Sequence, residues 1–110
     1  MFNPNINNIS GEEAYKLINE NNDIFILDVR TKEEYDKGHI QGAKLIPVGV
    51  LPSRIGELEK YKDKPILVYC ASGGRSPQAV MHLVEDEFSH IYHLSKGISS
   101  WKYGVEISAE

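Results

Sequence analysis

Only one cysteine, Cys70, occurs in the 110 residues of this chain. A lone cysteine closes no internal disulfide, so the fold rests on its core, and no second thiol is present to resolve a dithiol redox cycle. Long apolar runs are also missing: no segment approaches the length needed to cross a bilayer. The N-terminal residues Met1 to Asn8 lack the positive region and apolar stretch of a leader, which makes the cytoplasm the expected compartment. Basic clusters are missing too. Twelve Lys and Arg face sixteen Asp and Glu for a net charge of -4, which lacks the electrostatic footprint of a nucleic-acid or anionic-membrane binder, so neither partner is expected. With no repeat, low-complexity tract or linker, residues 1–110 read as a single domain.

What is present is an alternation of short apolar runs with amphipathic stretches. Ile24 to Val29, Ala43 to Pro47, Ile66 to Cys70 and Ile91 to Leu94 read as strands, with a weaker first strand around Asn5 to Ile9. Runs such as Ile66-Leu67-Val68-Tyr69 are continuous, which suits a sheet covered on both faces. Helix starts are marked by two capping boxes, Ser10-Gly11-Glu12-Glu13 and Thr31-Lys32-Glu33-Glu34. Ser76 reads as a cap ahead of Pro77, followed by Val80, Leu83, Val84 and Phe88 at helical spacing. A further helix is predicted over Val50 to Lys60 and a short one after Gly97. Strand and helix in turn give βαβ units and a mainly parallel α/β sheet, whose ligands bind beyond the carboxyl ends of the strands. Cys70 lies at such an end.

The segment Cys70-Ala71-Ser72-Gly73-Gly74-Arg75-Ser76-Pro77 therefore carries the chemistry. Two glycines let the backbone curl so that its N–H groups can converge on an anion, aided by the positive end of the following helix and by Arg75. The same field favours a thiolate, the nucleophilic form of cysteine. A lone cysteine ending an apolar strand is by itself more often a small buried hydrophobe. The Gly-Gly-Arg-Ser-Pro setting argues instead for an anion-handling nucleophile.

In these residues the chain resembles the rhodanese family: a cysteine, four intervening residues including Gly73, then Arg75-Ser76, at the end of a strand. Leu27-Asp28-Val29-Arg30, Glu34-Tyr35, Gly38-His39-Ile40-Gln41-Gly42-Ala43 and Ile46-Pro47 are similar to the family's N-terminal motif, and Leu94-Ser95-Lys96-Gly97-Ile98 with Trp101 to its closing motif. Together they span about residues 5 to 103. The resemblance implies a rhodanese-like fold, a five-stranded mainly parallel sheet with helices on both faces. It also implies a sulfurtransferase that moves sulfane sulfur through a Cys70 persulfide, with no separate cofactor. The donor would be thiosulfate or a polysulfide, bound by Ala71, Ser72, Gly73, Gly74 and Arg75, and the acceptor a thiol, cyanide or a protein. Asp28, Arg30, Glu34, His39 and Ser76 would form a supporting network.

A persulfide carrier without turnover, or an interaction module working with a partner enzyme, would use the same loop. Phosphatases and arsenate reductases of related fold place five residues between Cys and Arg, and the shorter spacing here disfavours them. Of the four histidines, His90 and His93 invite a metal reading, but a spacing of three puts them on opposite faces of a strand, so no metal site is expected. His39 is expected to fix a loop, Trp101 to serve as a core or lid residue, and Glu85-Asp86-Glu87 to be a solvated helix end.

Overall fold

The computed structural model describes residues 5–107. Five strands, β1 (Ile6–Ile9), β2 (Phe25–Asp28), β3 (Lys44–Leu45), β4 (Ile66–Tyr69) and β5 (Ile91–Leu94), form one parallel sheet in the order β1-β5-β4-β2-β3. The helices are α1 (Gly11–Glu20), α2 (Lys32–Lys37), α3 (Leu51–Arg54) and α4 (Ser76–Glu85). Both capping boxes form: Ser10 and Glu13, and Thr31 and Glu34, exchange side-chain and backbone hydrogen bonds that satisfy first-turn N–H groups.

Alternation along the central strand divides the core. Ile66, Val68 and Cys70 join Leu27, Val29, Leu51, Ala79, Val80, Leu83 and Phe88 on one face. Leu67 and Tyr69 join Ala14, Ile26, Ile40 and Leu94 on the other. Because α4 covers one face and α1 the other, every position of β4 is buried, which explains its unbroken apolar run. Each such Leu or Ile contributes ~2 kcal/mol through burial.

Two predicted elements differ in detail. The helix expected over Val50 to Lys60 is three pieces: a 3₁₀ turn at Val48–Val50, α3, and a 3₁₀ segment at Ile55–Tyr61. Arg54, at φ -112° and ψ 5°, leaves helical geometry just before Gly56, a poor helix former, although Leu51 and Leu58 still reach the core. The strand expected over Ala43 to Pro47 pairs as a ladder only at Lys44–Leu45. Pro47 has no N–H to donate, while Ile46 and Val48 on either side still donate to the carbonyls of Asp28 and Val29.

Among the described residues, no helix is long and apolar enough to cross a membrane.

Candidate active site

Cys70 follows the last residue of β4 and is 1% exposed, on the α4 face of the sheet. The chain must turn sharply here, and Gly73 adopts φ +96°, a conformation that L side chains rarely take. The loop then folds back over the cysteine, and Sγ accepts hydrogen bonds from the N–H of Gly73 at 3.1 Å and of Ser76 at 3.3 Å. Ser76 Oγ lies 3.2 Å from Sγ. Outside the loop, the turn after β5 braces it. Ile98 N–H donates to the Cys70 carbonyl at 2.9 Å and Ser99 N–H to the Ala71 carbonyl at 3.0 Å.

These contacts decide the state of the sulfur. Burial alone raises the thiol pKa, but the Ser76 hydroxyl and the N–H groups of Ser76, Arg75 and Gly73 outweigh it and hold Cys70 below the ordinary cysteine value. The N-terminus of α4 starts at Ser76, so its unpaired N–H groups and positive dipole end face the same atom. Ser76 was expected as the cap of this helix. The cap position belongs to Arg75, with Pro77 in the second helical position, and the Ser76 oxygen sits between Cys70 Sγ and His93 Nε2.

The Arg75 guanidinium forms a bidentate pair with Glu34, both contacts at 2.8 Å. The guanidinium holds the Glu34 carboxyl at about 2, with the Thr31 N–H and hydroxyl assisting against a smaller penalty from burial. A carboxylate lowered on folding stabilises the protein above its unfolded pKa. The contribution of this pair is therefore complete at neutral pH and fades as pH falls from about 4.3 towards 2. Both partners are about a third exposed, so solvent screening keeps that contribution small.

The expected supporting residues separate into two units. Glu34 and Ser76 touch the active loop, as just described. Asp28 and Arg30 form a buried pair in which Arg30 Nη2 donates to Asp28 Oδ2 at 2.6 Å and to the Gly38 carbonyl at 2.7 Å. Arg30 lies over the Tyr69 ring, and the Tyr69 hydroxyl accepts from Ile40 N–H at 3.1 Å. His39 stacks on Tyr35 and places Nδ1 2.8 Å from the Tyr35 carbonyl. This second unit fastens the 38–43 loop to the sheet. From that loop the contacts run on to the C-terminal segment, where the backbones of His39 and Glu106 exchange N–H···O bonds at 2.9 and 2.8 Å.

Sequence spacing presents one residue near the sulfur only as half of a metal pair with His90, not as a member of this site. His93, on β5, is 7% exposed and sets Nε2 2.6 Å from Ser76 Oγ, with Nδ1 2.9 Å from Asn8 Oδ1. Its parity with Ile91 puts it on the Cys70 face, while His90 is exposed. Parallel pairing of β1 with β5 sets Asn8 opposite His93, a neighbour that sequence separation hides. Of the remaining loop residues, Ser72 and Gly74 are exposed and Ala71 and Gly73 are half-buried. A cavity of about 410 Å³, lined in part by Tyr15, Ile40, Trp101 and Tyr103, includes no residue of this loop. Among the described residues no group of His, Cys, Asp and Glu could hold a metal ion.

Comparison with known proteins places this geometry in context. The rhodanese-like domain profile matches residues 10–103. A sulfurtransferase of Allochromatium vinosum is 31% identical over 105 residues, covering 94% of this chain and 96% of its own. Thiosulfate sulfurtransferase GlpE of Coxiella burnetii is 37% identical over 94 residues, covering 86% of this chain and 85% of its own. The uncharacterized protein YibN of Escherichia coli is 35% identical over 94 residues, or 84% of this chain, which spans only 65% of that longer protein. Among solved structures, a rhodanese-like domain protein from Staphylococcus aureus superposes with a TM-score of 0.83 at 30% identity, over 94% of this chain and 99% of that one.

Proposed function

The chain belongs to the rhodanese-like domain family, and from that premise we propose that it is a sulfurtransferase whose Cys70 carries sulfur as a persulfide. The observation that carries this reading is the coordination of Sγ by the N–H groups of Gly73 and Ser76 at the start of α4. It holds a buried sulfur in a site built for negative charge. The Cys70 thiolate attacks the outer sulfur of a sulfane donor. A new S–S bond forms, the donor's S–S bond breaks, and the electron pair leaves with sulfite when the donor is thiosulfate. An acceptor thiolate then attacks the outer sulfur of the persulfide and releases the Cys70 thiolate. The N–H groups along Ala71, Ser72, Gly73, Gly74 and Arg75 receive the terminal sulfur anion. The sulfur rides on the protein itself, without a separate cofactor, in a reducing compartment such as the cytoplasm.

Incubation with thiosulfate is expected to add ~32 Da to the intact protein, and cyanide or dithiothreitol to remove it. Mass spectrometry of the desalted protein reads both steps. If neither thiosulfate nor a polysulfide nor a cysteine persulfide leaves that adduct, the proposal fails.

Arg75 bears on the choice of donor. It is the one cation of the loop and is paired with Glu34, so little positive charge is left for a dianion. Neutral organic polysulfides, with no anionic charge to satisfy at the transferred sulfur, are the donors that suit this loop best. Arg75→Ala, which leaves the Glu34 carboxylate uncompensated beside the loop, is expected to slow persulfide formation from thiosulfate several-fold more than from a neutral organic polysulfide. Stopped-flow or quenched mass measurements with the two donors check this. Equal losses would mean that Arg75 acts only by shaping the loop.

A further inference from the structure

Behind Cys70, three polar side chains continue a line of hydrogen bonds from the buried sulfur to the edge of the sheet. Ser76 Oγ lies 3.2 Å from Sγ, His93 Nε2 lies 2.6 Å from Ser76 Oγ, and Asn8 Oδ1 lies 2.9 Å from His93 Nδ1. With the Asn8 amide oxygen turned to the imidazole, the last link sets the direction of the others. An amide oxygen only accepts, so His93 carries its hydrogen on Nδ1 and leaves Nε2 as an acceptor. Ser76 then donates its O–H to Nε2, and its free lone pair faces the Cys70 thiol hydrogen. Each group along the line has the polarity needed to pass one proton outward.

Resting on the reading of Cys70 as the sulfur-carrying nucleophile, we propose that Ser76, His93 and Asn8 form a proton relay that takes up the thiol proton as Cys70 ionises and holds it on His93. The Sγ–H bond breaks as an Oγ–H bond forms on Ser76, and the original Ser76 hydrogen passes to His93 Nε2. The products are a thiolate and an imidazolium, and every hydrogen bond in the line survives with its first two directions reversed. Ser76 now donates to the sulfur anion, Nε2–H donates to Ser76, and Nδ1–H still donates to Asn8. No electron leaves the line, and the proton returns along it when sulfur transfer regenerates the Cys70 thiolate. His93 does not touch the reacting atom and acts through Ser76, so it is a positioning residue.

The surroundings isolate this pair of charges. From β1, α4 and β5, a surface groove of about 250 Å³ is lined by Ile6, Asn8, Pro77, Val80, Met81 and His93, and none of them but His93 is ionisable. On the remaining side, Val68 of β4 is the register neighbour of His93. Arg75 is the cation whose charge interacts with Cys70, and it is tied to Glu34. Burial keeps the imidazole below its ordinary pKa, so it rests neutral and able to accept. Asn8 is exposed on the edge strand, which puts the far end of the line within reach of substitutions that leave the core intact.

The test is the rate of Cys70 alkylation by iodoacetamide as a function of pH, in the wild type and in His93→Gln, Asn8→Asp and Asn8→Leu. Glutamine can still hydrogen-bond Ser76 but cannot take its proton. It is expected to move the profile up by about one pH unit, making alkylation at neutral pH roughly tenfold slower. Asn8→Asp sets a carboxylate against Nδ1–H and is expected to move the profile down, while Asn8→Leu moves it up. Coincident profiles, or a downward shift in Asn8→Leu, would overturn the relay. Should His93→Gln fail to fold, the two Asn8 variants decide alone. A thiosulfate adduct measured on the same samples separates the two hypotheses. An adduct with coincident profiles removes the relay and keeps the nucleophile. Shifted profiles without an adduct from any sulfane donor remove sulfur transfer and keep the acid–base coupling.

Discussion

Cys70→Ser is expected to abolish sulfur transfer by more than about a thousandfold, into the uncatalysed background, while the protein stays folded. A serine hydroxyl is not ionised at neutral pH and forms no persulfide, so both half-reactions lose their carrier. The fold has little reason to notice. The side chains are nearly isosteric, and a serine oxygen at this position can accept from the N–H groups of Gly73 and Ser76 that now meet Sγ. The buried donors therefore keep a partner, and the stability change should be within ~1 kcal/mol. Thermal unfolding gives the second quantity and the intact-mass adduct the first. Thiocyanate formation by the serine variant at the wild-type rate would mean that the nucleophile lies elsewhere.

Gly97→Ala is expected to damage the same site from outside the loop. Gly97 adopts φ 66° and ψ -168°, a region open essentially to glycine alone. A Cβ there would lie about 2.5 Å from the Ala71 carbonyl and 2.6 Å from the Cys70 carbonyl oxygen. Those are backbone atoms, already held by Ile98 N–H and Ser99 N–H, so they cannot rotate aside as a side chain would. Strain and overlap together should cost ~2–4 kcal/mol, lowering the melting temperature by about 10 °C or more. Displacing the brace also displaces the N–H groups from Sγ, so alkylation of Cys70 should move towards the pH range of an ordinary thiol. Gly49→Ala is the control, because a Cβ there meets nothing within 4 Å. Equal melting temperatures and alkylation profiles in the two variants would rule out Gly97 as the brace.

The sequence was legible wherever structure is local. Capping boxes at Ser10 and Thr31 are set by residues three apart, and the apolar run of β4 follows from burial on both faces, so both could be read directly. The shape of the sulfur site was legible for the same reason, since Gly73 and the start of α4 lie within a few residues of Cys70. What escaped reading depends on register or on competition. His93 looked like one of a spaced pair, and its link to Ser76 and Asn8 arises only when β1 and β5 align. Ser76 had the form of a helix cap, but the nearby sulfur and imidazole claim its hydroxyl. Arg75 looked free to meet an anion until α2 brought Glu34 against it. The segment from Val50 to Lys60 kept its apolar spacing, and geometry at Arg54 and Gly56 broke it into turns that periodicity does not register.

The brace between the active loop and the turn after β5 also has a consequence for timing. Residues 70–76 hold the thiol, yet Gly97, Ile98 and Ser99 fix their backbone, and His93 completes the line to Asn8 on β1. Synthesis proceeds from the N-terminus, so Cys70 leaves the ribosome well before the strand and turn that complete its surroundings. Until β5 inserts between β1 and β4, the Cys70 and Ala71 carbonyls lack the Ile98 and Ser99 donors, and Ser76 lacks His93. Gly73 and Ser76 lie within the loop itself, but the groups that brace it arrive only with closure of the whole sheet.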